Sequence, residues 1–255
     1  LKIGVFDSGI GGLTVAKSLF ESRLFSEIIY FGDTARVPYG SKDKNTIIRY
    51  SLEAVEFFKN FDIELLVVAC NTVSAYAIQQ MREEADFPVI GVIESGVLAL
   101  QNSQIEKDKN VLVIGTEATI NSSIYQTLLK ERGFENIEAL PTGLFVPIVE
   151  EGIFSGDVLN STMRFYFKSL ENEPHHIILG CTHFPLIGDE ISSFFEEKPT
   201  LTHSGDAIVE YLKSLYPYLK ERDTTIKFFA SENPNGLKKV AKKWLKLKDS
   251  DILGF

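Results

Sequence analysis

Cysteine is almost missing from this chain: 255 residues hold two, beside two methionines and a single tryptophan. That scarcity excludes a disulfide scaffold, and no set of His and Cys at zinc-ligand spacing surrounds either one, so no metal is expected. Positive charge is also in short supply. Thirty-five acidic residues against 26 basic ones leave a net charge of −9 and a pI near 5.1. Neither nucleic acid nor an anionic membrane is attracted by such a surface, and an anionic ligand must be held locally. Long hydrophobic runs are lacking too. The apolar stretches extend over a handful of residues, far short of the roughly 20 that span a bilayer. Residue 1 is Leu rather than Met, nothing before Lys2 has signal-peptide character, and the chain passes directly into a strand-like segment. The expectation is a soluble, cytoplasmic protein.

What is present is a regular alternation. Short aliphatic runs at 2–6, 27–31, 64–69, 89–93, 111–115, 176–180 and 225–230 are separated by segments of helical periodicity near 12–22, 43–60, 73–85, 117–132, 157–170, 205–216 and 236–247. This pattern predicts an α/β fold of mainly parallel sheets covered by helices. The length allows one large domain or two lobes of roughly 100 to 150 residues. A weak internal repeat favours two lobes. Ile3-Gly4-Val5-Phe6-Asp7-Ser8 can be laid on Val111-Leu112-Val113-Ile114-Gly115-Thr116, and Leu65-Leu66-Val67-Val68-Ala69-Cys70 on His176-Ile177-Ile178-Leu179-Gly180-Cys181, at offsets of 108 and 111 residues. Two similar lobes would meet with the carboxyl ends of their strands on a shared cleft. Near the C-terminus, Leu237, Val240, Ala241, Trp244 and Leu245 form one helical face and Lys238, Lys239, Lys242, Lys243 and Lys246 the other. In an acidic chain this is a packed helix with a solvated lysine face.

The two cysteines thus occupy duplicate settings, an aliphatic strand and a small residue before, polar residues and a helix after. A thiol at a helix start feels the positive end of the helix dipole, which favours thiolate. Two equivalent thiols on opposite sides of one carbon could move a proton from one face to the other, so racemisation is the leading expectation. Buried structural cysteines are the plainer alternative. Asp7, at the end of the first strand, should share a sheet edge with Cys70, and His183 stands two residues after Cys181. Each could exchange a proton with its thiol. Gly9, Gly11 and Gly12, with Asp33 further on, superficially suggest a dinucleotide site. Thr14 stands where the third small residue belongs, and Asp7 would oppose the pyrophosphate, so that reading is rejected. The glycine amides are instead expected to meet a smaller anion. The Tyr39 hydroxyl and Gly40 N–H could hold a ligand carboxylate, and Glu150 could face the cleft.

Together Asp7-Ser8-Gly9-Ile10-Gly11-Gly12, Pro38-Tyr39-Gly40, Cys70-Asn71-Thr72 and Gly180-Cys181-Thr182-His183 resemble the signature blocks of the aspartate/glutamate racemase family, in particular its glutamate-specific bacterial members. The resemblance covers nearly the whole chain, in family order. It implies two pseudo-symmetric α/β lobes, residues 1–92 plus 205–255 and residues 93–204, with the active site between them. Cys70 and Cys181 are then the acid/base pair of a cofactor-independent reaction, assisted by Asp7, Glu150 and His183. Substrate contacts fall to Asp7, Ser8, Tyr39, Gly40, Asn71, Thr72, Thr182 and His183, with Thr116 as the repeat counterpart of Ser8. The resemblance also implies a homodimer with glutamate as its small-molecule substrate, supplying D-glutamate for peptidoglycan. Racemisation of aspartate or another amino acid by the same two-thiol chemistry, binding of a small anion without turnover, and thiol-disulfide exchange are the competing readings.

Overall fold

The computed structural model describes residues 1–103, 105–245 and 252–254. In chain order the first half runs β1 (Lys2–Asp7), α1 (Leu13–Glu21), β2 (Glu27–Gly32), α2 (Lys44–Phe58), β3 (Leu65–Val68), α3 (Asn71–Tyr76), α4 (Ile78–Glu84), β4 (Val89–Gly91) and α5 (Val92–Asn102). It continues with β5 (Val111–Gly115), α6 (Glu117–Asn121), α7 (Ile124–Glu131), β6 (Ile137–Pro141), α8 (Phe145–Glu150), α9 (Asp157–Phe167), β7 (His176–Gly180), α10 (Gly188–Ser193) and β8 (Thr200–His203). Last come α11 (Ser204–Leu215), β9 (Thr225–Ala230), α12 (Pro234–Leu245) and β10 (Ile252–Gly254).

The strands form two parallel sheets, ordered β10-β9-β2-β1-β3-β4 and β6-β5-β7-β8. The duplication is visible in that order, because β2-β1-β3-β4 and β6-β5-β7-β8 are the same arrangement. The corresponding strand starts, Lys2 and Val111, Glu27 and Ile137, Leu65 and His176, Val89 and Thr200, stand 109, 110, 111 and 111 residues apart. Strand β9 extends the first sheet beside β2, so chain that follows the second sheet returns to the first.

Side-chain alternation explains why the central strands read as unbroken aliphatic runs. Ile3, Val5, Leu65 and Val67 enter a core with α1, α11 and α12, while Phe6, Leu66 and Val68 enter another with α2, α3 and α4. In the second sheet Leu112, Ile114, Ile177 and Leu179 face α8 and α9, and Val111, Val113 and Ile178 face α5 and α7. A parallel sheet covered on both faces has no polar side to mark its period. Leu237, Ala241 and Leu245 of α12 are buried, with Val240 and Trp244 packed beside them. Lys246 and the expected helix end at 247 lie outside the described residues. Among those described, no helix is long and apolar enough to cross a membrane.

The structure departs from the expected elements where burial is one-sided or short. Strands β6 and β8 carry no aliphatic run because they are edge strands with largely half-buried or exposed residues. The run at 89–93 divides at Gly91, the N-cap of α5, so its last two residues open a helix. The expected helix at 73–85 breaks at Ala77 (φ −120°, ψ −7°), and that at 117–132 breaks at Ser123, which is left-handed at φ 58°. Helix α8 carries Pro147 and was hidden by its six-residue length, like α10.

Candidate active site

Strands β3 and β7 end just before Cys70 and Cys181, which therefore stand at the carboxyl edges of different sheets. Both thiols are free and buried, and both line one small cavity of about 30 Å³. Ser8, Tyr39, Gly40, Asn71, Thr72, Glu150, Thr182 and His183 line the same cavity, as does Thr116. Asp7 does not line it. Its carboxylate lies behind the wall, fully buried, accepting the Gly9 N–H at 2.9 Å, the Gly12 N–H, and the Thr182 hydroxyl at 3.4 Å. Two of the three glycine amides expected to meet a ligand, those of Gly9 and Gly12, are thus directed at Asp7 instead, just before α1.

The two walls differ chemically. On one, Cys181 Sγ lies 3.7 Å from His183 Nδ1, and His183 Nε2 lies 3.1 Å from Glu150 Oε1, which α8 presents at its last residue. Burial disfavours charge on this ring, but the bonds to Cys181 and Glu150, with the fields of Cys181 and Asp7, outweigh it and raise the His183 pKa to about 10. A protonated ring donates to both partners. On the other wall, Cys70 donates to Ser8 Oγ at 3.4 Å. Burial, and after it the charge of Asp7, pushes this thiol up to about 12, against the opposing Ser8 and Val73 hydrogen bonds. The helix start was expected to favour thiolate at Cys70. It does not prevail because α3 is only six residues long and the site is dry and already carries a carboxylate.

Side chains from both halves close the site. Thr72 Oγ1 lies 2.9 Å from Thr116 Oγ1 and 3.2 Å from Thr119 Oγ1, and the Thr116 hydroxyl also caps α6 by accepting the Thr119 N–H at 3.3 Å. Thr14 Oγ1 donates to the Thr182 carbonyl at 2.8 Å. Asn71 is engaged as a bridge, accepting the Tyr125 hydroxyl at 2.7 Å and donating to Ser204 Oγ at 3.2 Å. Tyr39 contributes its ring to the cavity wall, but its hydroxyl donates to Asp33 Oδ2 at 2.5 Å rather than pointing at a ligand, which corrects the expected carboxylate grip. Sequence reasoning missed Thr119, Tyr125 and Ser204. For Thr119 the signal was a Thr-x-x-Thr spacing at a helix start; the other two become relevant only once the halves meet.

Two duplicated α/β halves with one thiol on each wall of a common cavity define a two-lobed protein with a paired-cysteine cleft. Residues 18–212 match the profile of the Asp/Glu/Hydantoin racemase family, and the chain belongs to that family. It is 62% identical over 247 residues to a glutamate racemase of Nitratiruptor sp., covering 96% of this chain and 97% of that one. The crystal structure of glutamate racemase from Campylobacter jejuni superposes with a TM-score of 0.94 at 56% identity, covering 97% of this chain and 99% of that one. That of the Francisella tularensis glutamate racemase, in complex with D-glutamate, gives 0.87 at 32% identity, covering 99% and 95%.

Proposed function

We propose that this chain interconverts L- and D-glutamate by a two-base mechanism in which Cys70 and Cys181 act on opposite faces of the α-carbon. The observation that carries the reading is one buried thiol from each sheet lining a single cavity. In one direction of the reaction Cys70, which holds its proton, is the acid, and Cys181, whose sulfur lies beside His183 Nδ1, is the base. Removal of the α-proton by Cys181 and delivery of the Cys70 proton to the other face inverts the centre. It leaves Cys70 as thiolate and Cys181 as thiol, the form that accepts the opposite enantiomer. Asp7 acts on Cys70 through its field, and Glu150 holds the His183 ring.

Among the described residues lining the cavity, none is lysine or arginine. A Schiff-base lysine for pyridoxal phosphate is therefore not among them, and the donors available to the substrate carboxylates are hydroxyls, backbone N–H groups and the His183 ring. Ser8, Thr72, Thr116 and Thr182 supply hydroxyls around the thiols. As negative charge grows toward the α-carboxylate, a preorganised donor of this kind contributes about 3 kcal/mol. The wider setting we propose is the one the family resemblance implies: a cytoplasmic homodimer of the lobes 1–92 plus 205–255 and 93–204, supplying D-glutamate for peptidoglycan.

The test is incubation with D-glutamate in D2O, following optical rotation and α-proton loss together. The product should carry deuterium while the remaining substrate stays unlabelled at early times. Rapid label in the starting enantiomer would rule out two bases, and absence of both exchange and rotation change would rule out racemisation of glutamate.

A further inference from the structure

We propose that Asp33 is a positioning residue for this site, acting through the Tyr39 hydroxyl to hold the Pro38-Tyr39-Gly40 segment as the wall beside Cys70. Asp33 follows β2, is fully buried, and has no place in the cavity lining or in the proton transfer. Its carboxylate collects three donors. Oδ2 accepts Tyr39 Oη at 2.5 Å and Arg36 Nε at 2.6 Å, and Oδ1 accepts Ser231 Oγ at 2.7 Å. Its own N–H donates to the Asp7 carbonyl at 3.0 Å, which ties the hub to the end of β1.

Every neighbour of the hub is itself anchored. Ser231 Oγ accepts the Ala35 N–H at 2.9 Å, pinning the loop after β2 to the chain after β9. Arg36 pairs with Glu53 of α2 and stacks 4.1 Å from the Tyr50 ring, against which Tyr39 also packs. A buried carboxylate is retained when all its oxygens are satisfied, and it then fixes its partners in one geometry. The partner that matters is Tyr39, which shares both a core cluster and the cavity wall with Cys70. One residue on, Gly40 packs so closely on Thr116 of the second half that a Cβ there would lie 2.5 Å from Thr116 Cβ. Fixing Tyr39 therefore fixes the seam over the thiols.

The assignment rests on the racemase reading only for its kinetic test. In Asp33→Ala, KM for D-glutamate should rise about tenfold while kcat changes less, as expected for lost positioning. Asp33→Asn should bring KM back to within about threefold, since its amide oxygen still accepts the Tyr39 hydroxyl and its NH2 can meet Ser231 Oγ. In a Tyr39→Phe background, Asp33→Ala should add little. Independently of turnover, iodoacetamide alkylation of Cys70 at fixed pH should quicken about tenfold in Asp33→Ala and not in Asp33→Asn. Ser231→Ala, outside the cavity, should move the same readouts less far and stands in should Asp33→Ala not fold. An unchanged Cys70 alkylation rate in a folded variant, or equal KM losses with and without the Tyr39 hydroxyl, overturns the proposal. Lack of glutamate exchange in the parent protein would sink the racemase reading alone, because the alkylation test would still decide this one.

Discussion

The two cysteines share a sequence setting but not an electrostatic one. Cys181 faces a ring that stays protonated to about pH 10, whereas Cys70 has no such cation beside it, and burial followed by the field of Asp7 pushes its thiol up to about 12 against the Ser8 and Val73 hydrogen bonds. Alkylation of Cys70 in the ligand-free protein should therefore accelerate about tenfold per pH unit from pH 7 to 10, since only the thiolate reacts. Peptide mass mapping of iodoacetamide-treated protein measures this, and a plateau below pH 9 would contradict it. Cys70→Ser and Cys181→Ser should each lower kcat by about 10³-fold or more, the scale of a lost acid/base group. Polarimetry on the purified variants reads the effect, and near-normal turnover in either one removes that residue from the mechanism.

At the scale of elements, the seam between the halves depends on turns that approach one another without side chains. A Cβ at Gly11, ahead of α1, would sit 2.5 Å from the His183 ring and from Thr182 Oγ1. Gly11→Ala should displace that ring from Cys181 and Glu150 and lower kcat by about 100-fold. The accompanying overpacking should cost about 1–3 kcal/mol in a chemical melt. Gly40→Ala should instead press on Thr116 and disturb the hydroxyl cluster with Thr72 and Thr119, raising KM more than it lowers kcat. Steady-state kinetics of the pair separates the two walls, and identical KM and kcat effects would show that the seam moves as one piece.

Across the whole molecule, stability should be greatest near pH 6.5, because two buried histidines titrate in opposite senses. His176, at the start of β7, hydrogen-bonds Thr202 Oγ1 at 2.7 Å, and burial lowers its pKa to about 4. Between that value and the unfolded value near 6.5 the unfolded chain binds more protons, so stability falls as pH falls, by about 3 kcal/mol in all. The raised pKa of His183 has the other sign: its contribution is complete below about 6.5 and is lost as pH rises through about 10. Asp7, raised by burial, is stabilising in its protonated form and partly offsets the acid loss. Urea melts of His176→Gln isolate the histidine, since that side chain can still bond Thr202 without titrating. Its acid limb should be flatter than the parent's, and an unchanged limb would assign the loss elsewhere.

Taken alone, the sequence determined the α/β alternation, seven strands marked by apolar runs, the repeat near 110 residues and the matched cysteines, because these are local patterns written in side-chain type. The edge strands β6 and β8 escaped it, since a half-exposed strand has no such run. Which way the polar groups point was settled only by the tertiary structure. Asp7 turned behind the wall to its own glycine amides, Tyr39 turned its hydroxyl to Asp33, Asn71 became a bridge to Tyr125 and Ser204, and the cysteine settings diverged. Those outcomes depend on partners 2 to 175 residues away and on desolvation, which exists only once both halves have closed over the site.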